Sequence, residues 1–188
     1  MKVQANTLRP GHVIEHGGRQ YSVLTYTLNQ PGKGNPFILV EMRDVLTGVK
    51  TNERWRTQET VEKLTTDERE CTMLFREGDQ ITLMDSETYD QFAVPAEMAG
   101  EPAVFLQENM AVTVDTVEGK PVGVRLPAHV TLEVVEADAV VKGQTASSSY
   151  KPAILENGVK VMVPPHIATG TRIVVNTTDS SYVERAKD

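Results

Sequence analysis

Four histidines, one cysteine and a lysine set between glycines are the residues of this 188-residue chain that first invite a chemical reading. His12-Val13-Ile14-Glu15-His16 has the H-x-x-E-H form of a zinc-peptidase motif, which needs its two imidazoles one helical turn apart. Gly11 precedes the motif, Gly17-Gly18 follow it, and its centre is β-branched, so a strand is expected there. On a strand the two imidazoles stand roughly 13 Å apart and cannot share a metal. His129 and His166 have no ligand-like spacing, and Cys71 has no second cysteine for a disulfide or a metal knuckle. Gly32-Lys33 suggests a phosphate-binding loop. That motif requires a glycine five residues before Gly32 and Ser or Thr after the lysine, and Thr27 and Gly34 stand in those places. No G-x-S-x-G occurs, and the many carboxylates between residues 67 and 118 fall in expected exposed turns with no spacing that singles out an acid/base pair. No catalytic residue, cofactor site or metal site is expected, and the chain does not read as an enzyme.

Lys33 has a different explanation. Leu28-Asn29-Gln30-Pro31-Gly32-Lys33-Gly34-Asn35-Pro36-Phe37 reads as a hairpin loop between two strong strand signals. Glycine adds no side chain and supplies unusual φ angles, while proline limits how far the loop wanders. One amine is thereby presented on a thin stalk supported by Pro31, Gly32 and Gly34. Such a lysine suits insertion into a crowded anionic cleft or recognition by a modifying enzyme; the alternative is an ordinary turn carrying a solubilising side chain.

The elements that position this loop are strands. Residues 21–28, 37–42 and 49–55 are β-rich runs, with Leu46-Thr47-Gly48 as a turn; 72–75, 80–84, 91–94 and 111–114 follow, then 130–135, 159–163 and 172–175. Asn157-Gly158 is a hairpin signal. Only residues 102–107 suggest a short helix. The pattern predicts an all-β chain of small closed barrels, in three segments at 1–64, 65–128 and 129–188. Gly78 to Tyr89 weakly echoes Gly170 to Tyr182, suggesting that the second and third segments share a fold.

Composition is that of a soluble globular protein, with 39% hydrophobic and 24% charged residues. No run approaches the ~20 apolar residues of a membrane span. The N-terminus lacks a signal-peptide core, and the single cysteine fits a reducing compartment, so a cytoplasmic location is expected. The net charge of −7 argues against nucleic acid only as an average. Segment 1–64 has nine Lys/Arg against six Asp/Glu, segment 65–128 four against thirteen, and segment 129–188 six against seven. Screening over about 8 Å leaves a phosphate near the first segment responding to that segment's net +3.

The chain resembles bacterial elongation factor P over its whole length. The resemblance rests on the Asn6-Thr7-Leu8-Arg9-Pro10-Gly11 opening and the Pro31-Gly32-Lys33-Gly34 loop. It extends to Lys151-Pro152-Ala153, Gly158, Val161, Val163-Pro164, Ile167 and Gly170, and to the closing Ser181-Tyr182-Val183-Glu184-Arg185. It implies a KOW-like barrel followed by two OB-fold barrels in an elongated, tRNA-like arrangement. It also implies a translation factor that binds the ribosome between the peptidyl-tRNA and exit sites and relieves stalling at consecutive prolines.

Under this resemblance Lys33 points at the peptidyl-transferase centre and is a target for a lysine-modifying enzyme, Tyr182 and Arg185 contact tRNA, and Gly143-Gln144-Thr145 forms the exit-site codon loop. Gln144 stands where the family has Asp, and Thr171 follows Gly170 where an acidic residue is usual. Arg9, Arg54 and Arg56 are candidate contacts to RNA backbone. The expected partners are ribosomal RNA and peptidyl-tRNA, with the chain a monomer. Two alternatives stay open: an elongation-factor-P-like paralogue, and an off-ribosome OB-fold RNA-binding module, which the 5% aromatic content disfavours.

Overall fold

The computed structural model describes residues 1–139 and 149–187. The strands expected from the alternation of side chains form three antiparallel sheets. The first contains β1 (Lys2–Gln4), β2 (Val13–His16), β3 (Arg19–Asn29), β4 (Phe37–Asp44), β5 (Lys50–Arg56) and β6 (Thr60–Leu64), in the order β1-β6-β2-β3-β4-β5. The second contains β7 (Asp67–Glu77), β8 (Gln80–Asp85), β9 (Gln91–Pro95), β10 (Ala111–Val117) and β11 (Lys120–Arg125), in the order β11-β10-β7-β8-β9. The third contains β12 (His129–Ala137), β13 (Lys151–Leu155), β14 (Lys160–Val163), β15 (Arg172–Asn176) and β16 (Ser181–Arg185), in the order β14-β13-β12-β15-β16. By compactness the chain divides into two units, Met1–Glu70 with Thr113–Val124, and Cys71–Val112 with the residues from Arg125 onward.

Each sheet curls because at least one of its strands carries an extra residue. The pairing register slips at Leu24 in β3, Leu74 in β7 and Val135 in β12. A bulge bends its strand and increases the local twist, turning a flat ribbon toward closure. Alternation then decides what is enclosed: on β4, Ile38, Val40 and Met42 are fully buried, while Leu39 between them is 42% exposed. In the first unit these three pack with Ala5, Leu8, Ile14, Val23, Trp55 and Val61. Burial of each large aliphatic side chain contributes roughly 1.5–3 kcal/mol.

The helix expected at residues 102–107 is a pair of 3-10 turns, Ala96–Ala99 and Glu101–Phe105. They are joined at Gly100, whose φ of +66° suits glycine. Phe105, 1% exposed, plugs the core of the third sheet among Leu132, Leu155, Ile167 and Ile173. The acidic run Asp67-Glu68-Arg69-Glu70 lies on β7, and Asp85 and Asp115 are buried, so these carboxylates are not in exposed turns. A strand with one face in solvent accepts charge on that face.

One turn design recurs in all three sheets. Asp44 ends β4 and accepts from the Leu46 N–H at 2.8 Å and the Thr47 N–H at 3.1 Å; Asp85 ends β8 and accepts from the Glu87 N–H at 2.8 Å and the Thr88 N–H at 3.1 Å. Asn176 ends β15 and accepts from the Thr178 N–H at 2.8 Å. Each turn closes through a residue with positive φ: Gly48 (+73°), Tyr89 (+62°) and Ser180 (+58°). In the echo between the second and third sheets, Tyr89 is therefore matched by Ser180, not Tyr182. Because a left-handed backbone costs a side-chain-bearing residue about 1–2 kcal/mol, Tyr89→Gly should stabilise the second unit by up to about 1 kcal/mol. Thermal unfolding measures this, and a lowered midpoint would contradict it.

Asp44 has a further consequence. Hydrogen bonds from the Thr47 N–H and then the Leu46 N–H, with the Arg19 guanidinium 3.4 Å away, hold its carboxyl below the ordinary range despite burial. A lowered folded-state pKa gives stability that is complete above the unfolded value near ~4 and is lost as pH falls through the folded value. Asp44→Asn keeps the turn, as Asn176 does in the third sheet, but removes the titration. Urea unfolding followed by the fluorescence of Trp55, the only tryptophan, should show a shallower loss of stability below about pH 4 than in the parent. Parallel curves would exclude Asp44 as a contributor.

Candidate functional site

The Lys33 loop joins the two longest paired strands of the first sheet. The β3–β4 ladder runs from Tyr21↔Asp44 to Asn29↔Phe37, and every residue from Gln30 to Pro36 is exposed. Gly34 has φ +112°, and a Cβ there would lie 3.7 Å from the Pro31 ring. The space is adequate but the backbone conformation is strained for any other residue. Gly32 has no such angle, and a Cβ added to it would meet nothing within 4 Å. Gly34 is thus the conformational requirement of the loop, and Gly32 supplies slenderness.

Register places a basic, partly apolar surface beside the loop. Phe37 pairs with Arg56, and Leu39 with Arg54. Their neighbours Ile38, Val40 and Trp55 face the core, so Phe37, Leu39, Arg54 and Arg56 share the outer face. The Arg54 guanidinium lies 3.7 Å from the Phe37 ring centroid. That contact fixes a flat cation over an aromatic face and leaves its charge at the surface. The Arg56 N–H donates to Glu59 at 2.6 Å, which orders the following turn.

Arg9 is placed differently. Its guanidinium sits 4.7 Å from the Tyr26 ring centroid and donates to the carbonyls of Asn6 and Leu8. Tyr26 Oη donates to the Asn6 carbonyl at 3.1 Å, so Arg9 and Tyr26 together tie the 3-10 turn Ala5–Thr7 to β3. Arg9 remains exposed, but it also has this structural task.

The H-x-x-E-H residues have separate partners. His12 Nδ1 accepts from the Arg9 N–H at 3.1 Å; burial, then Lys63 and Arg9, holds the imidazole below its usual pKa. His16 lies 3.4 Å from Glu53 and meets Trp55 edge to face at 5.5 Å. Among the described residues no group of three His, Cys, Asp or Glu side chains is placed to hold a metal ion.

Tyr182 and Arg185, three residues apart, would point to opposite faces of a regular strand. The register slip on β16 pairs Tyr182 with Val175 and Arg185 with Ile173, so the extra residue Val183 brings both onto one face. Gly143, Gln144 and Thr145 lie outside the described residues. Sequence reasoning misses Tyr150, which meets Tyr182 edge to face with ring centroids 6.4 Å apart. No periodic signal links two tyrosines so far apart in the chain, so only the fold reveals the pair.

Three family models match successive stretches of the chain. The model described as the elongation factor P KOW-like domain matches residues 4–61, that of the elongation factor P OB domain 66–124, and that of the elongation factor P C-terminal domain 130–185. A protein named Elongation factor P from Acidiphilium cryptum is 66% identical over 187 residues, with 100% of both chains covered. One of the same name from Rhodospirillum rubrum is 63% identical over 187 residues, again with 100% of both chains covered. The solved structure of eukaryotic translation initiation factor 5A from Methanococcus jannaschii is similar at a TM-score of 0.42 and 22% identity, over 68% of this chain and 92% of that one. On the three domain matches and the full-length relatives, the chain belongs to the elongation factor P family and is a translation elongation factor.

Proposed function

We propose that the chain binds the ribosome between the peptidyl-tRNA and exit sites and relieves stalling at consecutive prolines, with Lys33 directed at the peptidyl-transferase centre. The observation that carries this reading is the exposed Gln30–Pro36 loop, with one ammonium at its tip and Arg54 and Arg56 on the adjoining outer face. Residues 1–64, 65–128 and 129–188 act as three domains, and the three family matches fall within these ranges. The first domain is the one with net positive charge, and it enters the RNA-lined cleft.

Proline is a secondary, sterically constrained amine and a poorly oriented nucleophile. A bound factor can help by holding the end of the peptidyl-tRNA, which lowers the entropic part of the barrier. The Lys33 ammonium reaches the terminal phosphates and riboses, while Arg54, Arg56 and the exposed part of Arg9 contact RNA backbone. Tyr182 and Arg185, on one face of β16, contact tRNA. This role requires no acid, base or cofactor of the protein's own, so the chain is not an enzyme. It works as a cytoplasmic monomer, and Lys33 is the residue on which a lysine-modifying enzyme acts.

Purified ribosomes translating a Pro-Pro-Pro message test the proposal. Added protein should raise the yield of full-length product. No relief would contradict this reading and favour the paralogue.

A further inference from the structure

In the second unit, Tyr150 lies just before β13 and Tyr182 lies on β16. Their rings are nearly perpendicular, at 85°. With Lys160 and Met162 of β14 and the turn at Asp179 to Ser181, they line an open cleft of about 350 Å³. β14 and β16 are the two ends of the third sheet's strand order and lie close to one another, so the cleft marks the seam of the curled sheet. Tyr150 is 53% exposed and Met162 49% exposed. The Asp179 carboxylate accepts from the N–H and hydroxyl of Ser181. No ion pair among the described residues engages Lys160.

We propose that this corner takes one unpaired RNA base. The flat ring stacks on one tyrosine, meets the edge of the other and lies against the polarisable thioether of Met162, while the ribose-phosphate turns to the Lys160 ammonium. The cleft is at the small end of ligand-sized pockets, which suits a single nucleotide. The Lys160 ammonium, engaged by no ion pair among the described residues, supplies the attraction for the phosphate. Aromatic faces with few fixed hydrogen-bonding groups stack any base, so binding tolerates sequence. Of the lining residues, only Tyr182 has a role implied by the family. The proposal takes its source of RNA from the ribosome-binding reading but involves no part of the Lys33 loop.

The test titrates the full chain with single-stranded hexa-adenosine RNA and with an abasic hexamer carrying the same phosphates, while the Met162 methyl signal is followed by NMR. The base-bearing hexamer should bind about tenfold more tightly than the abasic one and shift the Met162 methyl upfield. Tyr150→Ala should remove that margin, Tyr150→Phe should keep it, and Lys160→Ala should lower the salt slope by about one. The hexamer titration contains no ribosome and no peptidyl-tRNA, so failure here is distinguishable from failure of the polyproline assay. Equal binding of the two hexamers, an unmoved Met162 methyl, or parent-like binding by Tyr150→Ala would each overturn the proposal. Loss of ribosome binding by Tyr150→Ala with hexamer binding intact would also overturn it and assign the corner to a protein side chain.

Discussion

Lys33→Ala is expected to abolish most of the relief of Pro-Pro-Pro stalling, slowing passage through the motif by about ten- to a hundredfold relative to the parent, the scale of losing a positioning contact. The effect belongs to the ribosome-bound state. The loop is exposed from Gln30 to Pro36, so truncating the side chain should leave the fold and its thermal midpoint unchanged. Lys33→Arg preserves charge but replaces a compact ammonium with a broad planar head, and should recover only part of the rate. Gly34→Ala keeps the amine but strains a backbone held at φ +112°, and should lose rescue through misplacement. Single-turnover peptide formation on purified ribosomes measures all three. Full rescue by Lys33→Ala would sink the assignment.

The largest expected stability effect is at Phe105. Its ring is 1% exposed within the third-sheet core, and Phe105→Ala removes it where Leu132, Leu155 and Ile173 are already fixed on strands. Truncation should cost about 3–5 kcal/mol, the sum of lost transfer energy and an unfilled cavity. Amide exchange through global opening of β12, β13 and β15 should then accelerate by about a hundredfold or more. Phe105→Leu keeps most of the volume and should cost far less. Unchanged exchange in Phe105→Ala would show that the 3-10 segment does not complete this core.

The strands are legible in the sequence because alternation controls burial directly, as Ile38, Leu39, Val40 and Met42 show. The Leu46-Thr47-Gly48 turn is legible from its glycine, but its equivalent at Asp85 is not, because Tyr89 occupies the left-handed position without a glycine to announce it. The short helix stands nearly where the sequence puts it, as the 3-10 turn Glu101–Phe105 with Pro102 in its first turn. Charges on β7 read as turn residues because composition does not distinguish a solvated strand face from a loop. At the site, Lys33 stands out through its neighbours. The Arg54–Phe37 contact and the shared face of Tyr182 and Arg185 depend on register and on a bulge, which local sequence does not encode.

The net charge of −7 obscures how the proposed domains divide the work. Thirteen acidic residues against four basic ones fall between 65 and 128, while the segment with Lys33 is positive. Under the proposed reading, attraction to RNA is concentrated near the loop.

The most direct measurement places position 33 on the ribosome. Cys71 is the only cysteine and is 1% exposed, so Lys33→Cys gives one reactive thiol for a short photo-crosslinker. On ribosomes stalled at consecutive prolines with labelled peptidyl-tRNA, the crosslink should form to the 3′-terminal nucleotides of that tRNA. Crosslinks confined to other sites, with none to the peptidyl-tRNA end, would contradict the account.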